Sequence, residues 1–432
     1  MNEGYKVYSG LTDAQKASRL LRSGVEAKLS SSGKDFDDTY ASPSFGKGYR
    51  LCYKIVVYHL TVLQISFVGA GLGMQAIDNF PERASDNTEG TTPASGSGAL
   101  RGAQKLLQRM AVRALYSLGL DSGEVRLRAM GNRKVVVEGI TPLQPSGQRL
   151  PEPYRYAALE LERKLALEQP GRSGLLMGMD PEFILLREET GRVVPASRYL
   201  PLDGIAGCDA GPPGTRGAFP VAELRPQPRG EPRALLAQLM SAAVTADRLI
   251  ADRSLRWRAG GMPLPGWALG GHLHFSGVTL TAPLLRALDN YLALPMLLLE
   301  DVRAASRRPR YGVLGDFRTQ PHGGFEYRTL PSFLVSPVIA KGAVYLAHLI
   351  VSHYEDLTLR PLHREDLHIA YYSGDKPLLR AAVPPLLAQL RALGGYELAA
   401  PYIEPLFKYI AAERTWDESR DIRELWCSKV KV

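Results

Sequence analysis

The chain has 432 residues, of which 45% are apolar and 22% charged, and a formal net charge of +9. This is the composition of a soluble globular protein, and the length exceeds one ordinary core, so two or three domains are expected. The positive balance suits anionic ligands such as nucleotides. The basic residues are dispersed, and the densest group, Arg303, Arg307, Arg308 and Arg310, is too short for a nucleic-acid arm, so no nucleic-acid partner is expected.

The opening segment, MNEGYKVYSGLTDAQK, has no charged-then-apolar leader pattern. Cys52, Cys208 and Cys427 are far apart and form no CxxC, which argues against a disulfide framework or zinc knuckle and points to a reducing cytoplasm. The most apolar stretch, Ile55 to Ile77, is broken by His59, Thr61, Gln64 and Ser66, so no membrane span is expected; within it TVLQISFVG alternates as a strand does. Residues 85–103, SDNTEGTTPASGSGALRGA, read as a flexible break. A helix follows, with Leu106, Leu107, Met110, Ala111, Ala114, Leu115 and Leu118 at helical spacing and Gly119 closing it. EVRLRAM and KVVVEGI are two strands joined by the hairpin signal Gly131-Asn132. Residues 1–150 are therefore expected to form an accessory domain, and 151–169, a charged helix between Pro151 and Pro170, a connector.

From residue 170 to 432 the pattern is that of a second domain. LLMGMDPEFILL is a strand, 193–232 is Gly/Pro-rich and loop-dominated apart from a short strand at VAELRPQP, and 233–252 is a helix. GWALGGHLHFSG is a strand, 281–305 a helix, GGFEYRTLPSF a strand, 337–354 a helix, and the tail 361–432 mostly helical. No GxGxxG follows a strand and no GxxxxGK[ST] occurs, so neither common dinucleotide nor P-loop chemistry is expected.

Four of these strands place two polar residues at i and i+2: Asp180 and Glu182, Glu223 and Arg225, His272 and His274, Glu326 and Arg328. On a strand, i and i+2 share a face. Taken singly, each pair is ordinary: ExR is commonly a cross-strand ion pair, HxH a zinc fragment or strand polarity, DxE a solvated strand end. Their coincidence is not, because burying unpaired charge costs several kcal/mol and such a face must meet metal, ligand or water. Carboxylates with imidazoles suit Mg²⁺ or Mn²⁺ bridging phosphates, and arginines suit phosphate oxygens. Together they are the parts of phosphoryl transfer. A zinc hydrolase is the competing metal reading, but no helical HExxH occurs.

At these residues the sequence resembles the glutamine-synthetase-like carboxylate–amine ligases, and most closely the phage phiEco32-like COOH·NH2 ligase, type 2. The resemblance lies in MGMDPEFIL, AELRP, GGHLHFSG and RRPRYGVLGDFRTQPHGGFEYRTLPSF. It implies an α+β fold with a mainly antiparallel catalytic sheet of the glutamine-synthetase type and flanking helices, beside a smaller α/β N-terminal domain and a helical C-terminal tail. It implies ATP and two divalent ions, Mg²⁺ or Mn²⁺. Glu182 and Glu223 would hold one, and Asp180, His272 and Glu326 the other. His274 would sit beside the nucleotide, and Arg318 and Arg328 would contact phosphate. The implied reaction joins a small-molecule or peptide carboxylate to an amine through an acyl phosphate, with Glu223 or the loop residue Asp209 as base. The family precedent also allows an oligomer. Two departures stand out: Asp180 where glutamate is expected, and Arg225 where another carboxylate is expected. A fainter similarity links ALYSLGLDSGEVRL and KVVVEGITPLQ to ATP-grasp enzymes, with Glu138 present but Thr141 and Pro142 where a magnesium-binding asparagine would be sought. A kinase on the same fold and a non-catalytic nucleotide-binding protein are the alternatives.

Overall fold

The computed structural model describes residues 2–29, 52–69, 72–76, 97–130, 134–144, 150–168, 172–215 and 217–427. The chain divides into two compact units, Met1–Lys164 and Leu165–Val432. The division falls within the helix Glu152–Ala166.

The first unit is one antiparallel sheet with helices. Its strands are β1 (Cys52–Tyr58), β2 (Thr61–Gly69), β3 (Leu72–Ala76), β4 (Ser122–Ala129) and β5 (Val135–Pro142), in the order β3-β2-β1-β4-β5. The helix Ser97–Ser117 buries Leu107, Ala111, Ala114 and Leu115 against Ile55, Val57, Val125 and Leu127. It ends on Gly119 at φ +78°, where the amides of Gly119 and Leu120 bond back to the carbonyls of Tyr116 and Leu115. The expected break at 85–103 lies outside the described residues up to 96, and its remainder, from Ser97, is already helix. The turn expected at Gly131-Asn132 also lies outside them, but β4 and β5 pair antiparallel as a hairpin requires.

The second unit is built on β6 (Leu176–Arg187), whose twelve residues exceed every other strand in the unit. Around it stand β7 (Arg192–Val194), β8 (Ala206–Asp209), β9 (Val221–Leu224), β10 (Leu255–Arg258), β11 (Gly271–Ser276), β12 (Phe317–Thr319) and β13 (Phe325–Tyr327). The order is β12-β13-β11-β6-β9-β8, with β7 and β10 paired to the C-terminal half of β6, and every pairing is antiparallel. The segment 193–232 holds more strand than its Gly/Pro content suggests, since β8 lies within it.

One face of this sheet is apolar. Met179, Phe183, Leu224, Leu273, Phe275 and Tyr327 are all buried, and Phe183 stacks on Trp257 with ring centroids 4.7 Å apart. Helices begin at polar caps, Thr281 accepting from the Leu284 amide and Ser336 from the Ile339 amide. The stretch Ala282–Leu299 is long and apolar enough to cross a membrane, and 94% of it is buried inside the unit. A π-helical turn, Asp289–Ala293, interrupts it. The tail from Pro361 is helical, as the sequence suggests.

Phe183 carries the apolar face beneath the polar residues of β6. Phe183→Ala is expected to cost about 3–5 kcal/mol, read as a lower denaturant midpoint for the second unit.

Candidate active site

Strand register alone brings the polar pairs together. Directly opposed residues in an antiparallel pair share a face. His272 opposes Asp180, His274 opposes Glu326, Arg318 opposes Glu326, and Glu182 opposes Glu223. Arg225 and Arg328, one residue past the ends of β9 and β13, pair with Glu223 and Glu326 and so join them on this face. The intervening Pro181, Leu224, Leu273 and Tyr327 are buried on the other side.

The central strand β11 supplies the imidazoles, with a carboxylate from each neighbour. His272 Nδ1 lies 3.1 Å from Asp180 Oδ1 and 3.2 Å from Glu326 Oε1, and His274 Nε2 lies 3.0 Å from Asp180 Oδ2. Arg328 donates to Glu326, and the exposed Arg318 approaches Glu326 Oε2 at 3.3 Å. The His272 ring needs the glycine before its strand: a Cβ on Gly270 would fall 2.3 Å from His272 Nε2.

A second group forms on the other side of β6. Glu182 accepts from the Gly270 amide at 2.7 Å. Glu223 pairs with Arg225, whose guanidinium also donates to the Leu202 carbonyl at 2.8 Å. Arg225 lies flat over Gly207, where a Cβ would meet it at 2.1 Å. Asp209 is not on a loop: it is the last residue of β8, exposed, and its carboxylate completes a group with Glu182 and Glu223. The carboxylate missing at position 225 is thus matched by one from the adjacent strand.

Ligand-type atoms gather in three overlapping sets, each within 4.8 Å: Asp180, Glu223 and His272; Asp180, His274 and Glu326; Glu182, Asp209 and Glu223. Asp180 Oδ1 and His274 Nε2 are buried without a hydrogen-bond partner, although the first lies close to His272 Nδ1 and the second to Asp180 Oδ2. Adjacent ligand atoms around an octahedral Mg²⁺ at 2.0–2.1 Å stand about 2.9 Å apart. Contacts of 3.0–3.2 Å without hydrogen-bond alignment fit groups converging on a shared cation, and the oxygen-rich donor set suits Mg²⁺ or Mn²⁺.

The electrostatics agree. Burial would raise the Asp180 carboxyl, but the two imidazoles outweigh it and hold it well below the ordinary carboxylate range. Burial also opposes protonation of His272, yet Asp180 raises it on balance. Glu182 is raised by burial. Glu223 is pushed up to about 9 by burial and by the Asp180 charge, against the pull of Arg225.

Asp289 escaped the sequence reading. It is buried in the π-helical turn, accepts from the Tyr327 hydroxyl at 2.7 Å and the Gly315 amide at 3.0 Å, and so ties the back of β13 to the loop before β12. A polar residue amid an apolar helical run was its only signal. Glu138, in the first unit, is held in a two-point pair with Arg128.

Carboxylates, imidazoles and guanidiniums thus share one face of the sheet, and the chain belongs to the family described as Phage phiEco32-like COOH.NH2 ligase-type 2, which it matches over residues 177–427. No curated protein matches it. Among solved structures it is similar to a bifunctional glutathione synthetase from Pasteurella multocida, at 12% identity and a TM-score of 0.36, over 63% of this chain and 52% of that one. It is also similar to a novel glutamine synthase homolog, at 14% identity and a TM-score of 0.26, over 64% and 79%. The chain thus spans about half the length of the glutathione synthetase.

The raised Glu223 makes a prediction for the metal-free protein. Between the ordinary value of 4.5 and about 9 the folded state keeps a proton that the unfolded state releases, so this group's contribution to stability is present below 4.5 and lost as pH rises through 9. Melting curves from pH 5 to 9 should show the loss, and Glu223→Gln should flatten it.

Proposed function

We propose that the second unit is an ATP-dependent ligase that forms an amide bond between a carboxylate and an amine. The observation that carries this reading is the single sheet face on which Asp180, Glu182, Glu223, His272, Glu326 and Arg328 converge, in a chain of a COOH·NH2 ligase family.

Glu182, Glu223 and Asp209 would hold one divalent ion, and Asp180, Glu326 and an imidazole from His272 or His274 the other. Such ions would neutralise charge on the ATP phosphates and on the phosphoryl group in transfer. A substrate carboxylate oxygen attacks the γ-phosphorus, ADP leaves, and an acyl phosphate results. The amine then attacks the acyl carbon, and inorganic phosphate departs. Arg318 and Arg328, at the edge of the carboxylate cluster, grip the phosphoryl oxygens through forked hydrogen bonds. Their pairing with Glu326 sets the direction of both guanidiniums before ATP arrives, so less ordering remains to be done in the transition state. Asp209 is the exposed carboxylate of the group, which suits it to accept a proton from an amine entering from solvent.

Incubation with ATP, Mg²⁺ and a panel of amino acids and peptides, followed by phosphate release and product mass, tests the reaction. Amide product with inorganic phosphate supports a ligase; a stable phosphorylated product in its place identifies a kinase, and nucleotide binding without turnover identifies a binding protein.

Glu326→Gln and Arg328→Lys should leave the fold nearly intact and lower ATP turnover by about 10²–10³-fold, as removal of one preorganised electrostatic contact does. The glutamine variant should also lose its response to Mg²⁺ or Mn²⁺. Unchanged turnover in both, with a stability loss of roughly 0.2–1 kcal/mol, would reduce the pair to a salt bridge along one segment.

A further inference from the structure

Arg307 is 2% exposed and has no carboxylate at ion-pair distance among the described residues. Its guanidinium faces backbone instead: Nη1 donates to the Leu269 carbonyl at 3.1 Å and Nη2 to the Thr329 carbonyl, while Nε is buried without a partner. Its charge is met at close range by carbonyl dipoles and only at longer range by Glu300 and Glu418, and a buried charge without a direct ion pair is costly. The surrounding chain is nevertheless shaped to it. Gly312 sits at φ +69°, and a Cβ there would fall 2.6 Å from Arg307 Nε; a Cβ on Gly261 would lie 3.3 Å from Arg307 Cδ.

The two carbonyls occupy a particular place in the sheet. Leu273 pairs with Tyr327, and beyond the ladder Gly270 pairs with Pro331. From 273 to 270 is three steps and from 327 to 331 is four, so the β13 side carries one extra residue between these pairings. This is a bulge, and bulges free a backbone group and re-aim a side chain. The extra residue falls among Arg328, Thr329 and Leu330. The Gly271 amide bonds to the Leu330 carbonyl at 3.1 Å, and Arg307 takes up the Thr329 carbonyl. On the other strand it holds Leu269, next to Gly270, whose amide anchors Glu182.

We propose that Arg307 is a positioning residue, which fixes the bulge that aims Arg328 into the carboxylate face and so sets the site's grip on nucleotide phosphate. This rests on the ligase reading above for the role of Arg328. A lysine at 307 keeps the charge but concentrates its donors on one nitrogen, and cannot span two carbonyls as the fork does.

The test compares Arg307→Lys with Arg423→Lys in the full chain. Arg423 is also buried and donates to the backbone carbonyls of Asp247, Ile250 and Asp252 and, unlike Arg307, to a carboxylate, that of Asp247 at 2.6 Å, but on none of the strands that carry the site. Mg²⁺–ATP binding is measured by calorimetry at a temperature where both variants are folded, and backbone amide exchange is followed by mass spectrometry. Arg307→Lys should bind Mg²⁺–ATP about tenfold more weakly, the lower end of the loss on removing a supporting contact. Its amide exchange should rise in 268–271 and 328–331. Arg423→Lys should match the wild type in both. Equal binding by wild type and Arg307→Lys would overturn the inference, as would an equal loss in both variants. If Arg307→Lys does not fold, Arg307→Gln, which removes the buried charge, replaces it; failure of both to fold assigns Arg307 to the fold alone and overturns the inference. A wild-type protein that does not bind Mg²⁺–ATP would instead sink the ligase reading, and this inference with it.

Discussion

Five carboxylates, those of Asp180, Glu182, Asp209, Glu223 and Glu326, share one face of one sheet, and their mutual repulsion is the constraint to which the rest of the second unit answers. Two unit charges about 4 Å apart near a protein surface interact by on the order of 4 kcal/mol. A whole domain is stable by only about 5–15 kcal/mol, so a few uncompensated pairs would unfold it. Compensation is built in at three levels. Arg225 and Arg328 each stand two residues after a glutamate, one step beyond the end of its strand, and pair with it. The central strand brings two imidazoles between the carboxylates of its neighbours. Burial and the Asp180 charge favour the protonated form of Glu223, against the pull of Arg225. What remains is a set of oxygen and nitrogen atoms of the kind that ligate divalent cations.

That face was legible in the sequence because two-residue periodicity is a property of a strand by itself. DPE, ELR, HLH and EYR each announce which residues go together before any partner is known. The register was not legible, since it depends on which strands meet. Asp209 shows the difference. It lies in GIAGCDAGPPG, where the glycines and prolines hide a strand of four residues. Only its pairing with β9, Asp209 against Val221, carries its carboxylate to Glu182 and Glu223. Arg225 follows the same logic: it pairs with Glu223, while the third carboxylate of the group comes from β8. The strand expected from GGFEYRTLPSF is shorter than its alternation suggests, because the bulge after Tyr327 ends the regular ladder.

The apolar back of the sheet is not featureless. Tyr327, fully buried between Glu326 and Arg328 in sequence, sends its hydroxyl to Asp289, which also holds the Gly315 amide. The Arg328 amide bonds to the Asp316 carbonyl at 2.9 Å. The loop that leads to Arg318 is thereby tied both to the buried helix and to the strand of Glu326 and Arg328. A π turn places its side chains differently from a regular helix, and here that turn presents Asp289 to the sheet. The two arginines proposed to grip phosphate therefore sit on segments joined behind the site as well as in front of it.

The shorter acid at position 180 follows from the same arrangement. Asp180 lies on β6 directly opposite His272 on β11, and opposed Cβ atoms stand only about 4.5–5.5 Å apart. An aspartate spans that gap and sets one oxygen toward each imidazole, at 3.1 and 3.0 Å. A glutamate would carry its oxygens one methylene further, over β11 and toward Glu326, whose carboxylate already lies 3.2 Å from the same His272 Nδ1. Lengthening the acid would thus trade two imidazole contacts for a carboxylate–carboxylate approach. Where the acid must serve both histidines of the adjoining strand, the short side chain is the one that fits.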